Sequence, residues 1–156
     1  MAFQSSSPSS HALFSYADHL ASTWQDFLLL VGRIMLGWIF LQAGWGKIFD
    51  IAGYATTFPR RGLEPWMAYI SVPAETICGL FLIFGFATRY SILVMLFFMV
   101  VASFSSHAYW SFPEAQRAVQ SSQFWKNVSI TGGLLVLFVT AAGRFSLDTI
   151  LFRKKN

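Results

Sequence analysis

Three polar residues with chemical potential lie in or beside long apolar segments. Glu75 is inside one such segment, and Lys47 and His107 are near the ends of two others that enter from the same side. A carboxylate in hydrocarbon needs either a partner or a proton, and a positioned carboxylate or histidine suits proton transfer. We therefore predict that Glu75 and His107 are candidate catalytic residues and that Lys47 is a candidate ligand-binding residue.

Two further residues extend this candidate site. Trp110 follows His107 by one helical turn, and Asn127 shares a helix face with Thr131 in the last apolar segment. An aromatic ring beside a few polar groups suits a flat hydrophobic ligand, although tryptophans at helix ends are also typical of a membrane-surface belt. Trp110 and Asn127 are thus candidate ligand-binding residues. A polar network that only fixes helix register remains an equal alternative for the whole set.

Other kinds of site are disfavoured by the residue inventory. The chain has three histidines and one cysteine, Cys78, so a disulfide or a CxxC pair cannot form within it. It has no glycine-rich phosphate loop and no HExxH motif. We expect no metal site and no covalently bound cofactor.

The elements that would position these residues follow from composition. Of 156 residues, 55% are hydrophobic and 12% are charged, whereas a soluble domain has about 25% charged residues. The basic residues are scattered apart from Arg153-Lys154-Lys155, so nucleic acid is not an expected partner. The sequence predicts an all-α integral membrane protein. Its expected architecture is a four-helix bundle embedded in the lipid bilayer, which is thus an expected partner.

Apolar runs of about 20 residues predict membrane-crossing helices. We place four of them, within one domain over 27–148, at about 27–48, 66–86, 89–110 and 124–143. Residues 1–26 are predicted to form a serine-rich mobile end followed by an amphipathic helix in the membrane interface, where apolar positions recur every three or four residues from His11 to Trp24. Residues 149–156 are predicted to form a basic cytoplasmic tail.

The first of these helices carries one stripe that should face the bundle interior, because charged residues in membranes avoid lipid and glycines allow close helix contact. Its members follow alternating steps of four and three residues: Arg33, Gly37, Phe40, Gly44 and Lys47. A second charged group, for which we expect a structural role, gathers at the opposite end of the bundle: Arg33, Arg89, Arg144 and Asp148. We expect Asp148 to pair with one of these arginines.

The orientation in the membrane is not decided by charge count, because five basic residues fall on each side when Arg33 is left out. The compact cluster at Arg153-Lys154-Lys155 and the short turn at Arg89 favour cytoplasmic termini. This orientation places Lys47, Glu75 and His107 in the half of the bundle away from the cytoplasm.

The same residues form an ordered set of motifs. The set consists of Gly32-Arg33, Gly44-x-Gly46-Lys47, Glu75-x-x-x-Gly79, Gly85-x-x-Thr88-Arg89, His107 and Gly143-Arg144-x-Ser146-Leu147-Asp148. In this order and spacing it resembles the DoxX family of small four-helix bacterial membrane proteins, which is named after a subunit of a thiosulfate:quinone oxidoreductase.

The resemblance implies a bacterial inner-membrane subunit of a quinone-linked redox system. Quinone would then be a non-covalent ligand at Lys47, Glu75 and His107, and a redox partner protein would supply the electrons. An alternative is a non-catalytic subunit or assembly protein whose buried polar network is structural. Whether the chain acts as an enzyme, and whether it forms a homo-oligomer, stays open at this point.

Overall fold

The computed structural model describes the backbone of residues 8–152 and the side chains of residues 15–152. Within that part the chain is helical and contains no strand. Its helices are α1 (Pro8–Ile48), α2 (Ile51–Ala55), α3 (Ala68–Phe84), α4 (Thr88–Ser106), α5 (Glu114–Thr140) and α6 (Leu147–Phe152). Single 3₁₀ turns occupy Pro59–Arg61, Pro65–Met67 and Tyr109–Ser111. The predicted all-α class is confirmed.

Three helical stretches of the described chain are long and apolar enough to cross a membrane: Ser15–Ile48, Pro65–Phe84 and Thr88–Ser111. The fourth long helix, α5, has 27 residues and includes Gln123, Lys126 and Asn127 before its apolar second half. The molecule is therefore an all-α membrane protein. The prediction that α5 is a fourth membrane-crossing helix stays a prediction. The alternative is three crossings with α5 packed beside them.

Helix α1 is one continuous helix of 41 residues, where the sequence predicts an interfacial helix ending near Trp24 and a second helix from 27. No glycine or proline occurs between Ser9 and Val31 to interrupt it. At its helical rise it spans about 60 Å, twice the roughly 30 Å of hydrocarbon. An interfacial position for its first half stays a prediction, and residues 1–7 lie outside the described part.

The other helix ends depart from the predicted ones for local reasons. Helix α3 ends at Gly85, whose φ of 66° is left-handed, and it continues through Pro73 without a break. Helix α5 begins at Glu114, directly after Pro113, and not at 124. The polar residues 114–123 form its first turns, so an apolar pattern could not find this start. Residues 153–156 of the predicted basic tail are also outside the described part.

The predicted buried stripe of α1 packs against α3 through glycines. A Cβ atom added to Gly37 would lie 2.7 Å from the carbonyl oxygen of Gly79, and one added to Gly79 would lie 2.7 Å from the backbone nitrogen of Leu41. Gly44 is buried against Thr76 in the same way. Small residues let membrane helices approach closely. The two backbones are therefore in contact, which fixes the register of α1 on α3.

Candidate functional site

The centre of the candidate site is an ion pair between α1 and α3. These helices run antiparallel, so Lys47, one residue before the end of α1, faces Glu75, about 10 Å inside α3 at the helical rise. Lys47 Nζ lies 2.8 Å from Glu75 Oε2, and the side chains are 26% and 6% exposed, respectively. The Lys47 ammonium therefore turns inward to Glu75, and the pair places two opposite charges inside the bundle.

Helix α2 and the turn after it cover this pair on the side of the helix ends. Lys47 Nζ lies 5.0 Å from the ring centroid of Tyr54, a cation–π distance. The Arg61 guanidinium lies 5.3 Å from the same ring, and its Nη1 donates a hydrogen bond of 2.9 Å to Tyr54 Oη. Sequence reasoning placed Arg60 and Arg61 in the loop outside the first helix, where they could attract an anion, but it did not select Tyr54, which lies outside the apolar helices.

A cavity of about 1040 Å³ lies beside the ion pair and is bounded by α1, α3, α4, α5 and the segment from α2 to the start of α3. Four residues selected from the sequence line it together: Lys47, Glu75, His107 and Asn127. We call these four residues the outer cluster. The structure thus brings Lys47, Glu75 and His107 to one cavity, and the roles predicted for them stay predictions.

Two members of the outer cluster come from α4 and α5. His107 follows the last residue of α4, and its Nδ1 donates a hydrogen bond of 2.8 Å to the side-chain oxygen of Gln120. Asn127 is 6% exposed and lines the cavity, yet its carboxamide forms no hydrogen bond with any residue that the structure describes. Because Asn127 borders the cavity and its amide has no partner among the described residues, that amide is available to a ligand.

The cavity opens sideways between α3 and α4. Ile70 on α3 and Val94 and Phe97 on α4 line it, and these residues are 62%, 45% and 74% exposed, respectively. We call these three residues the open flank. Ile70 lies in the first turn of α3, and Val94 and Phe97 lie near the middle of α4; exposed apolar side chains of membrane-crossing helices face lipid. A lipid-soluble molecule can therefore enter the cavity from the hydrocarbon without passing through water.

Trp110 is the candidate residue that the structure does not bring to the cavity. The chain leaves the helix at His107, whose φ is −133°, so Trp110 does not continue the α4 face that carries His107. Its ring lies 5.1 Å from that of Tyr109 and 5.5 Å from that of Phe124, and it is 53% exposed. The tryptophan that lines the cavity is Trp66, at the start of α3.

The charged group at the opposite end is tied mainly to backbone. Arg33 is 1% exposed, and its guanidinium donates to the carbonyl oxygens of Ala142, at 2.5 Å, and Phe145, at 2.7 Å. Arg89 Nε donates to the carbonyl oxygen of Phe138. The Arg33 bonds hold the segment after α5 against α1, and the Arg89 bond holds the end of α5 against α4, in keeping with a structural role.

Asp148 forms no salt bridge with an arginine within the described chain, although its negative charge interacts with the buried Arg33. Its carboxylate accepts hydrogen bonds from the backbone N–H groups of Ala87, at 2.7 Å, and Thr88, at 2.9 Å. The first N–H groups of a helix lack partners and favour an anion, so Asp148 caps α4. Arg144 lies instead 3.8 Å from Asp26, which also accepts a hydrogen bond from the Arg144 backbone.

Comparison with known proteins shows to which family this chain belongs. The DoxX family model matches residues 28–108, which is the region that contains Lys47, Glu75 and His107. The chain belongs to the DoxX family. Asn127 lies beyond the matched region, so this DoxX chain completes its outer cluster with a residue outside the family model.

Similar proteins are known from bacteria and from yeast. The chain is 35% identical over 130 residues to the inner membrane protein YqjF of Escherichia coli, covering 83% of this chain and 96% of that protein. It is 32% identical over 123 residues to the inner membrane protein YphA of the same organism, covering 78% and 88%. The ER-derived vesicles protein ERV29 of Saccharomyces cerevisiae is 25% identical over 124 residues, and 34% of its length is covered. No solved structure matches this chain.

Proposed function

We propose that this DoxX protein is an inner-membrane subunit of a quinone-linked redox system and that the cavity is its quinone site. The observation that carries the proposal is a set of polar groups inside a cavity that opens to lipid through the open flank. A quinone has a flat polar ring and an apolar tail, and it travels in the hydrocarbon. It needs polar contacts for its ring carbonyls and a lipid-facing path for its tail.

The outer cluster supplies such contacts. Ring carbonyl oxygens accept hydrogen bonds, and the Asn127 amide and the Lys47 ammonium are two donors that line the cavity. Reduction of a quinone to a quinol takes up two electrons and two protons. A partner redox protein would supply the electrons, and Glu75 and His107 would hold and pass the protons.

The second candidate function is a non-catalytic membrane subunit or assembly protein. One observation favours it: the Lys47–Glu75 pair joins α1 to α3 at 2.8 Å, as a register-fixing network would. In that case Glu75→Gln lowers the yield of folded protein or of its complex, and ligand binding is absent from the start.

The orientation belongs to the same proposal. We place both termini in the cytoplasm, so that the outer cluster lies in the half of the bundle away from the cytoplasm. A reporter that is active only in the cytoplasm, fused after Asn156, is expected to be active, and one that is active only outside it is expected to be silent. The reverse pattern would move the outer cluster to the cytoplasmic half.

A quinone titration separates the two functions. The purified protein in phosphatidylcholine nanodiscs is titrated with a short-chain ubiquinone, followed by calorimetry. Asn127→Ala removes a ligand hydrogen bond worth about 1 to 1.5 kcal/mol, so affinity should fall about tenfold. Ser129→Ala, two residues away and exposed, is the matched control and should leave affinity unchanged. Glu75→Gln should also weaken binding. Absence of binding to the folded wild-type protein would refute the quinone site.

A further inference from the structure

The charges around the cavity do not balance. Four basic side chains line it, Lys47, Arg60, Arg61 and Lys126, while Glu75 is the one carboxylate that lines it in the described chain. Counting lysine, arginine and carboxylate side chains alone, three positive charges are therefore in excess. Arg60 and Lys126 are exposed, so water screens their mutual repulsion, but cations gathered at one mouth produce a positive potential that attracts anions.

Neighbouring groups do not remove this excess. Lys47 is the cation that is paired with Glu75. Arg61 donates to the neutral Tyr54 hydroxyl, and Lys126 donates to the neutral Gln123 side chain. Arg60 is exposed, and within the described residues it forms no ion pair.

The remaining carboxylates at this end of the bundle are Asp50, Glu64 and Glu114, and none of them lines the cavity. Asp50 caps α2 by accepting from the Gly53 backbone N–H at 2.8 Å. The three positive charges at Arg60, Arg61 and Lys126 are thus left for a ligand.

The position of these charges sets the shape of that ligand. Arg60 and Arg61 form the turn at Pro59–Arg61, and Lys126 follows the polar first turns of α5, so the cations lie at the end of the cavity nearest the helix termini. Within the open flank, Ile70 lies in the first turn of α3, whereas Val94 and Phe97 lie deeper in the bundle, near the middle of α4. One end of the cavity is cationic and one side is apolar and faces lipid.

We infer that the cavity selects an amphiphile with a negatively charged head, held at Arg60, Arg61 and Lys126, and an apolar tail that leaves through the open flank. This inference rests on the proposed ligand-binding function and narrows the ligand to an anionic class. A quinone with an ionised ring hydroxyl would fit both the proposed quinone site and the anionic head inferred here. An alkyl chain with a carboxylate or phosphate head would fit the anionic-head inference but not the quinone site.

The test compares probes that differ in one property. Protein in neutral phosphatidylcholine nanodiscs is titrated with dodecyl phosphate, with dodecanol and with inorganic phosphate, and empty nanodiscs are subtracted. Dodecyl phosphate is expected to bind at least tenfold more tightly than dodecanol, and inorganic phosphate is not expected to displace it at equal concentration. Equal binding of the two dodecyl probes would overturn the inference. Equal binding of inorganic and dodecyl phosphate would also overturn it, because a small soluble anion would then be the ligand.

Variants locate the head. Arg60→Gln and Lys126→Gln should each lower the affinity for dodecyl phosphate severalfold. The affinity for dodecanol should stay unchanged in both variants. Arg117→Gln is the matched control, because Arg117 lies at the same end, bonds to the Phe112 carbonyl and does not line the cavity. An equal loss of dodecyl phosphate affinity in Arg117→Gln would show that general surface charge, and not the cavity, attracts the probe. That result would overturn the inference.

Neutral short-chain ubiquinone in the same nanodiscs separates the two proposals. Ubiquinone binding without a preference for the anionic probe would leave the quinone site standing and refute the anionic head. Binding of dodecyl phosphate that depends on Arg60, with no ubiquinone binding, would refute the quinone site and support the anionic head.

Discussion

The Lys47–Glu75 pair should behave asymmetrically when one partner or both partners are removed. The Glu75 side chain is 6% exposed and the Lys47 side chain is 26% exposed, so Glu75 has little access to water if its partner is lost. Breaking a buried ion pair costs about 3 to 5 kcal/mol. Because Lys47 keeps some contact with solvent, we expect a cost at the lower end, about 3 kcal/mol for Lys47→Met.

Replacing both partners by apolar residues removes the unpaired charge. The double variant Lys47→Met with Glu75→Leu is expected to lie within about 1 kcal/mol of the wild-type stability, as replaced buried pairs often do. Glu75→Gln keeps an acceptor for the Lys47 ammonium and should lose about 1 kcal/mol.

The free energies of unfolding can be measured by titrating detergent-solubilised protein with sodium dodecyl sulfate and following helix content by circular dichroism. The folded double variant is then tested for ligand binding, which the account expects it to have lost. A single variant as stable as the wild type, or a double variant as unstable as Lys47→Met, would refute the reasoning. If the double variant binds the ligand as tightly as the wild type, the Lys47–Glu75 pair has a structural role and no role in ligand binding.

Three other substitutions test the packing and the limits of the site. Gly79→Ala should cost about 1 to 3 kcal/mol, because its Cβ meets the Leu41 backbone, whereas Gly46→Ala has nothing within 4 Å and should be neutral in the same unfolding titration. Asp148→Ala removes the cap of α4 and should cost about 1 to 2 kcal/mol, measured in the same way. Trp110→Leu should leave ligand affinity unchanged by calorimetry, because Trp110 does not line the cavity; a tenfold loss would restore its predicted stacking role.

The parts of the structure that depend on helical periodicity could be predicted from the sequence. The alternating steps from Arg33 to Lys47 predict one buried face, and that face is the one that packs against α3. A carboxylate inside an apolar helix needs a partner, which marks Glu75 as informative; that this partner is Lys47 comes from the structure.

The parts that depend on turns could not be predicted. The backbone at His107 leaves the helix, and that change takes Trp110 away from the cavity. Asp148 meets the N-terminus of α4 because the chain folds back after Thr140, which no local pattern indicates. Arg60 and Arg61 reach the cavity through the turn after α2, so they cannot be placed by helix spacing.

Photolabelling with an azido-substituted quinone, followed by mass mapping of the labelled peptides, tests the proposed site most directly. The account predicts label on peptides from the first half of α3 and the second half of α4, which flank the cavity, and protection by unmodified quinone. Label confined to the end of the bundle that contains Arg33 and Asp148, or label that unmodified quinone does not reduce, would contradict it.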